Sequence, residues 1–204
     1  MLINQIKYKS MKNKKMWIIL GVVAVVVIWL VVGYNGLVSR QESVNQAGSN
    51  VENVYQRRAD LIPNLVNTVK GYAEHEQATL QAVTDARTKA TSINIDPATA
   101  TQEQMDAFFA AQQEVGTSLG RLIAVAERYP DLKASANFRD LQAQLEGTEN
   151  RIAVERKSYN AMVKEYNTKI RKFPANIIAG LFGFERVANW EAQEGTEVAP
   201  VVEF

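Results

Sequence analysis

Residues 16–32, MWIILGVVAVVVIWLVV, hold no charge and no strongly polar side chain. At 1.5 Å per residue, a helix of this length reaches about 25 Å, the lower limit for crossing a bilayer core. Adding Gly33 and Tyr34 takes it to about 28 Å. Each Ile, Leu and Val favours insertion by roughly 0.3 kcal/mol or more near the bilayer centre, with no charge opposing them. Trp17, Trp29 and Tyr34 stand near the two ends, where amphipathic rings prefer the interface. Residues 16–33 read as a transmembrane anchor.

The flanks give an orientation. Lys7, Lys9, Lys12, Lys14 and Lys15 precede the run, and the first basic residue after it is Arg40. The positive-inside rule keeps residues 1–15 in the cytoplasm and sends everything after Tyr34 to the far side of the membrane. A cleaved signal peptide is the rival reading, because Val31 and Gly33 could serve a signal peptidase; its apolar region would be shorter than this one. The stretch from Met11, MKNKKMW, reads as a complete basic flank and offers an alternative start. The sequence has no Cys, which excludes a lipidated cysteine, a disulfide and thiol redox chemistry.

The chain carries 23 basic and 22 acidic residues, and five of its Lys lie before residue 16. Residues 34–204 therefore hold 18 basic against 22 acidic, a balance of −4 that leaves no electrostatic footprint for nucleic acid. Pro63, Pro97 and Pro130 cut residues 34–173 into four stretches of similar length. Each repeats apolar residues at three- and four-residue steps, the seam of a packed helix. The first seam is Leu37, Val44, Ala47, Val51, Val54 and Leu61; the second is Leu65, Val69, Tyr72, Glu76, Thr79, Val83, Ala86 and Ala90. A hairpin at Asp60–Pro63, with Asp60 as helix cap and Pro63 in the first turn, would separate them. Thr101 and Gln104 can form a capping box for the third, whose seam runs Met105, Phe108, Gln112, Val115, Leu119, Leu122, Ala126 and Tyr129. Gly116 and Gly120 mark a place where a neighbour can pack close. The fourth keeps a seven-residue repeat from Phe138 through Leu141, Leu145, Thr148, Ile152, Glu155, Tyr159, Met162, Tyr166 and Lys169 to Phe173. The fold class is all-α: an N-terminal transmembrane helix, then an antiparallel up-and-down four-helix bundle over 34–173.

In that topology the fourth helix returns to the membrane. There Lys169, Arg171 and Lys172 precede an apolar segment at 174–184, too short to span a bilayer but able to lie in its interface. Phe173, Ile177, Ile178, Leu181, Phe182 and Phe184 are its interfacial candidates; the alternative is that they cover the open end of the bundle. Residues 185–204 read as a flexible acidic tail.

Several stretches together resemble the LemA family of bacterial membrane proteins. They are Tyr34-Asn-Gly-Leu-Val38, Gln56-Arg-Arg-Ala-Asp-Leu-Ile-Pro-Asn-Leu-Val66, Glu146-Gly-Thr-Glu-Asn-Arg-Ile-Ala-Val154, Tyr166-Asn-Thr-Lys-Ile170 and Phe173-Pro-Ala-Asn-Ile-Ile-Ala-Gly-Leu-Phe-Gly-Phe184. The likeness implies one transmembrane helix and an antiparallel four-helix domain outside the cytoplasm. It implies no activity; links to membrane proteases and membrane organisation attach to some relatives only.

Catalytic chemistry finds little support. A di-iron bundle needs Glu-x-x-His pairs on two helices, and the one His, His75, follows Tyr72 by three. A zinc site fares no better without Cys, and no nucleophile elbow or phosphate-cradling loop accompanies His75. No catalytic residue, metal or cofactor is expected. Arg40, Glu76, Gln112 and Glu155 interrupt the seams and could share a polar layer, which most simply sets helix register and otherwise could receive a ligand. Arg57, Arg58, Asp60, Glu146 and Glu149 gather near the distal end, as ion pairs or a partner surface. The expected function is a non-catalytic extracytoplasmic scaffold or adaptor for membrane or envelope proteins, with the bilayer and those proteins as partners and homo-oligomerisation left open. The alternative is a ligand sensor acting through a membrane partner such as a protease.

Overall fold

The computed structural model describes residues 2–96 and 99–190, and for residues 2–14 the backbone alone. All regular structure among the described residues is helical: α1 Leu2–Lys70, α2 Gln77–Ser92, α3 Gln102–Ala126, α4 Pro130–Ala134, α5 Ala136–Arg171 and α6 Ala175–Phe182.

α1 runs unbroken through Pro63, which corrects the expected hairpin at Asp60–Pro63. A proline inside a helix leaves the carbonyl four residues earlier without its N–H donor. That carbonyl belongs to Ala59, and Arg87 of α2 donates its Nε–H to it at 2.6 Å. Asp60 does not cap a helix; its Oδ1 accepts from Gln56 Nε2 at 2.8 Å. The chain turns instead at residues 71–76, beginning at Gly71, a poor helix former, with Ala73 buried in the bend.

The chain divides into two compact units. One joins Met1–Gln41 to Tyr166–Arg186, the other Glu42–Glu165 to Val187–Phe204. In the second, a single apolar cluster draws Ile62, Leu65 and Val69 from α1, Val83 and Ala86 from α2, Val115 and Leu122 from α3, Leu132 from α4, and Phe138 and Leu145 from α5. The start of α3 is the expected capping box: Gln104 N–H donates to Thr101 Oγ1 and Thr101 N–H to Gln104 Oε1.

Three expectations need correction. A Cβ built on Gly116 or Gly120 meets nothing within 4 Å, so no neighbour packs close there; the buried stripe of α3 runs through Ala111, Val115, Ser118, Leu119 and Leu122 beside them. On α5 the seam leaves the seven-residue repeat after Tyr159 and continues through Val163, Tyr166 and Ile170, leaving Lys169 and Phe173 exposed. A straight helix turns once per 3.6 residues, so its buried face drifts off a strict repeat of seven. Finally, the tail expected from residue 185 has Val187 and Trp190 buried in its first part; residues 191–204 lie outside the described residues.

Candidate functional site

The second unit contains a buried cation. Arg58 is only 4% exposed, and an unpaired guanidinium there would cost several kcal/mol. Its Nη1 meets Glu149 Oε1 at 2.8 Å, and its Nη2 donates to the Gln112 carbonyl at 3.2 Å and to Gln112 Oε1. Its face lies over the Tyr55 ring at 5.1 Å. One side chain thus ties α1 to α3 and α5.

Beside it, Trp190 is 1% exposed, held among the rings of Tyr55, Phe109, Phe108 and Tyr159 with centroids 5.3–5.8 Å away. Such tilted and edge-on pairs add to the area they bury. Asn160 grips the Trp190 backbone on both sides, Oδ1 accepting its N–H at 2.7 Å and Nδ2 donating to its carbonyl at 2.8 Å. Tyr159 donates its hydroxyl to the Ala188 carbonyl at 3.3 Å. Burial, then the negative charge of Asp96, pushes the Tyr159 phenol well above its ordinary range. Burial also raises Tyr55, against the lowering pull of Arg156 and Arg58. The indole Nε1–H is buried with no acceptor among the described residues. Sequence reasoning missed this cage because it placed Trp190 in a tail; the usable signal was a lone Trp in a short stretch otherwise free of large rings.

A cleft of about 400 Å³ opens in the same unit, lined among others by Glu52, Tyr55, Arg58, Arg87, Phe108 and Gln112. Burial, then Asp96, raises the Glu52 carboxyl.

The other residues singled out from the sequence lie as follows. Glu76 takes an ion pair from Arg128 at 3.0 Å and a hydrogen bond from the Tyr129 hydroxyl at 3.4 Å, while Gln112 serves Arg58. Because the turn falls at 71–76, Glu76 sits at the start of α2 and not within a helix seam. Arg40 donates to the Gly36 carbonyl at 3.1 Å, and Glu155 is half-buried on α5. Of the distal group, Arg58 and Glu149 meet; Glu146 accepts from Gln142 at 3.0 Å, and Arg57 is exposed. His75 is exposed in the turn. No group of three or more His, Asp or Glu that could hold a metal ion occurs among the described residues.

In the first unit, residues 15–29 are all exposed, Trp17 and Trp29 included. α6 lies against the helix just beyond them. Ile178 packs so close to Gly33 that a Cβ there would overlap its Cδ1, and the Tyr34 ring meets those of Phe182 and Phe184 at 4.9 and 5.7 Å. Ile178, expected at the membrane interface, is buried, because a one-residue step turns it about 100° around the helix from the exposed Ile177. Phe173, Ile177, Leu181 and Phe182 are exposed. Gly183 ends α6 at φ 72°, a left-handed conformation that favours glycine.

The LemA family model matches residues 47–204. Magnetosome protein MamQ 2 of Paramagnetospirillum magneticum is 31% identical over 185 residues, 82% of this chain and 68% of its own length. MamQ of Magnetospirillum gryphiswaldense is 29% identical over 175 residues, 78% and 64% of the two chains. Protein LemA of Metamycoplasma hominis is 26% identical over 160 residues, covering 78% of this chain and 69% of its own.

Proposed function

Since the chain belongs to the LemA family, we propose that it is a single-pass membrane protein acting as a non-catalytic scaffold or adaptor for other membrane or envelope proteins. The observation that carries this reading is the exposed apolar stretch of helix at residues 16–29. In water those side chains would leave a large apolar surface bare; in a bilayer they meet their proper solvent. The five Lys before it support a cytoplasmic N-terminus and an extracytoplasmic domain. α1, α2, α3 and α5 form that domain as an antiparallel four-helix bundle. The names of its relatives describe no reaction, and its buried polar groups tie helices together in a way that fixes register.

The cleft at Arg58, Arg87 and Glu52 favours a second reading, a ligand-sensing domain that signals through a membrane partner. Two measurements separate the outcomes. The chain has no Cys, so a single Asp60→Cys variant can be labelled in intact cells: an impermeant maleimide reacts if the domain is extracytoplasmic and fails if it is cytoplasmic. Crosslinking in native membranes then yields a reproducible protein neighbour for an adaptor. Its absence from every condition sinks that reading.

A further inference from the structure

α6 leaves half of itself uncovered. Ala175, Ile178 and Ala179 form its buried face. Ile177 and Leu181, four residues apart on α6, are 51% and 66% exposed, with Phe182 beside them at 50% and Phe173, in the turn just before the helix, at 80%. Four large apolar side chains turned outward from a short helix segment make an unpartnered apolar face of the kind that marks an interaction surface. The seat of α6 identifies the neighbour. Ile178 touches Gly33 and Phe182 touches Tyr34, the two residues at which the apolar membrane run ends. Lys169, Arg171 and Lys172, all exposed, precede the face, the polarity an anionic headgroup layer attracts.

We infer that α6 is a second membrane contact: an interfacial helix whose Ile177, Leu181 and Phe182, with Phe173 just before it, lie in the outer headgroup and acyl boundary of the bilayer that residues 16–33 cross. The inference rests on the anchor reading. Gly33 is the positioning residue: a Cβ there already forces the Ile178 Cδ1 end to shift, and a large side chain would take the place in which Ile178 seats α6 against α1. The occupant is lipid because the face begins where the lipid-facing run stops, and because eight helical residues can lie in the interface but cannot cross it.

The test uses the full chain in vesicles of phosphatidylcholine and phosphatidylglycerol, with single cysteines at Val25→Cys, Ile177→Cys, Leu181→Cys and Lys164→Cys carrying an environment-sensitive fluorophore. Quenching by nitroxide on the lipid chain is compared with quenching by aqueous iodide. Labels at 177 and 181 should be quenched by lipid nitroxide about three-fold or more above the label at 164, most strongly by a shallow nitroxide, as expected for burial about 5–10 Å deep. The label at 25 should respond to a deep one. In a Gly33→Leu background the 177 and 181 labels should move toward iodide while 25 stays in lipid. If 177 and 181 behave like 164 while 25 is lipid-quenched, the second contact is overturned and the anchor stands. A label at 25 open to iodide overturns the anchor itself. Labels at 177 and 181 shielded from both quenchers assign the face to a protein, a second copy included, and overturn the lipid contact.

Discussion

Trp190 and Phe173 are both large aromatic residues outside a helix, yet the first is 1% exposed and the second 80%. Trp190 has four rings around it and a two-sided backbone grip from Asn160. Phe173 heads an outward stripe that continues through Ile177 and Leu181. The difference separates two uses of apolar area within one chain. In the unit holding Trp190, ring area closes a core against water, so each side chain needs protein partners. In the unit holding Phe173, it is left without them beside a run that is itself bare. Burial alone cannot rank the importance of the two; the solvent each region is built for decides it.

The comparison can be broken most directly at Trp190. Trp190→Ala should destabilise the domain by about 3–5 kcal/mol, the range for emptying an aromatic site in a core, read by chemical denaturation with circular dichroism. A shift below about 1 kcal/mol would mean the segment is only resting on the surface. Asn160→Ala removes both backbone hydrogen bonds from Trp190 and leaves their partners buried, for an expected loss of about 1–3 kcal/mol. Tyr159→Phe should cost about 0.5–1.5 kcal/mol at neutral pH through the bond to Ala188. It also sharpens the comparison through pH. Because the folded phenol ionises above the unfolded one, its contribution is complete below about pH 10 and is lost as pH rises beyond it. Wild-type stability should therefore fall more steeply than that of the variant in alkali. The smallest effect belongs to the outward face: Leu181→Ser should change stability in detergent by no more than about 0.5 kcal/mol while weakening the lipid signature of α6. A large loss in detergent would place Leu181 in a core after all.

What could be read from the sequence depended on the range of the interaction involved. The run at 16–32 is a matter of composition, and the capping box of Thr101 and Gln104 spans three residues, so neither needs the fold. The rule that put a hairpin at Pro63 was local too, and failed because the donor that keeps the helix intact, Arg87, sits in a different helix. Trp190 was hidden for the same reason: its neighbours in sequence suggest a tail, while its partners in space are residues 55, 108, 109 and 159. The layer of Arg40, Glu76, Gln112 and Glu155 took Glu76 to lie within a helix running on from Pro63, so its place changed once the turn fell at 71–76. Arg58 and Glu149 were grouped among the distal charges and do pair, but the tie of Arg58 to Gln112 follows only from how α1 and α3 pack.

The bond from Arg87 to the carbonyl of Ala59 has one more consequence. A ribosome delivers Pro63 before Arg87, which lies 28 positions beyond Ala59 in the chain. Until α2 folds back, the longest helix of the protein has an open rung at its proline, the place where helices bend most readily. Its rigidity is thus conferred from outside, by a neighbour that arrives later. A rod of this kind stiffens when its domain assembles, and a partner that pulled α2 away would turn it into a hinge.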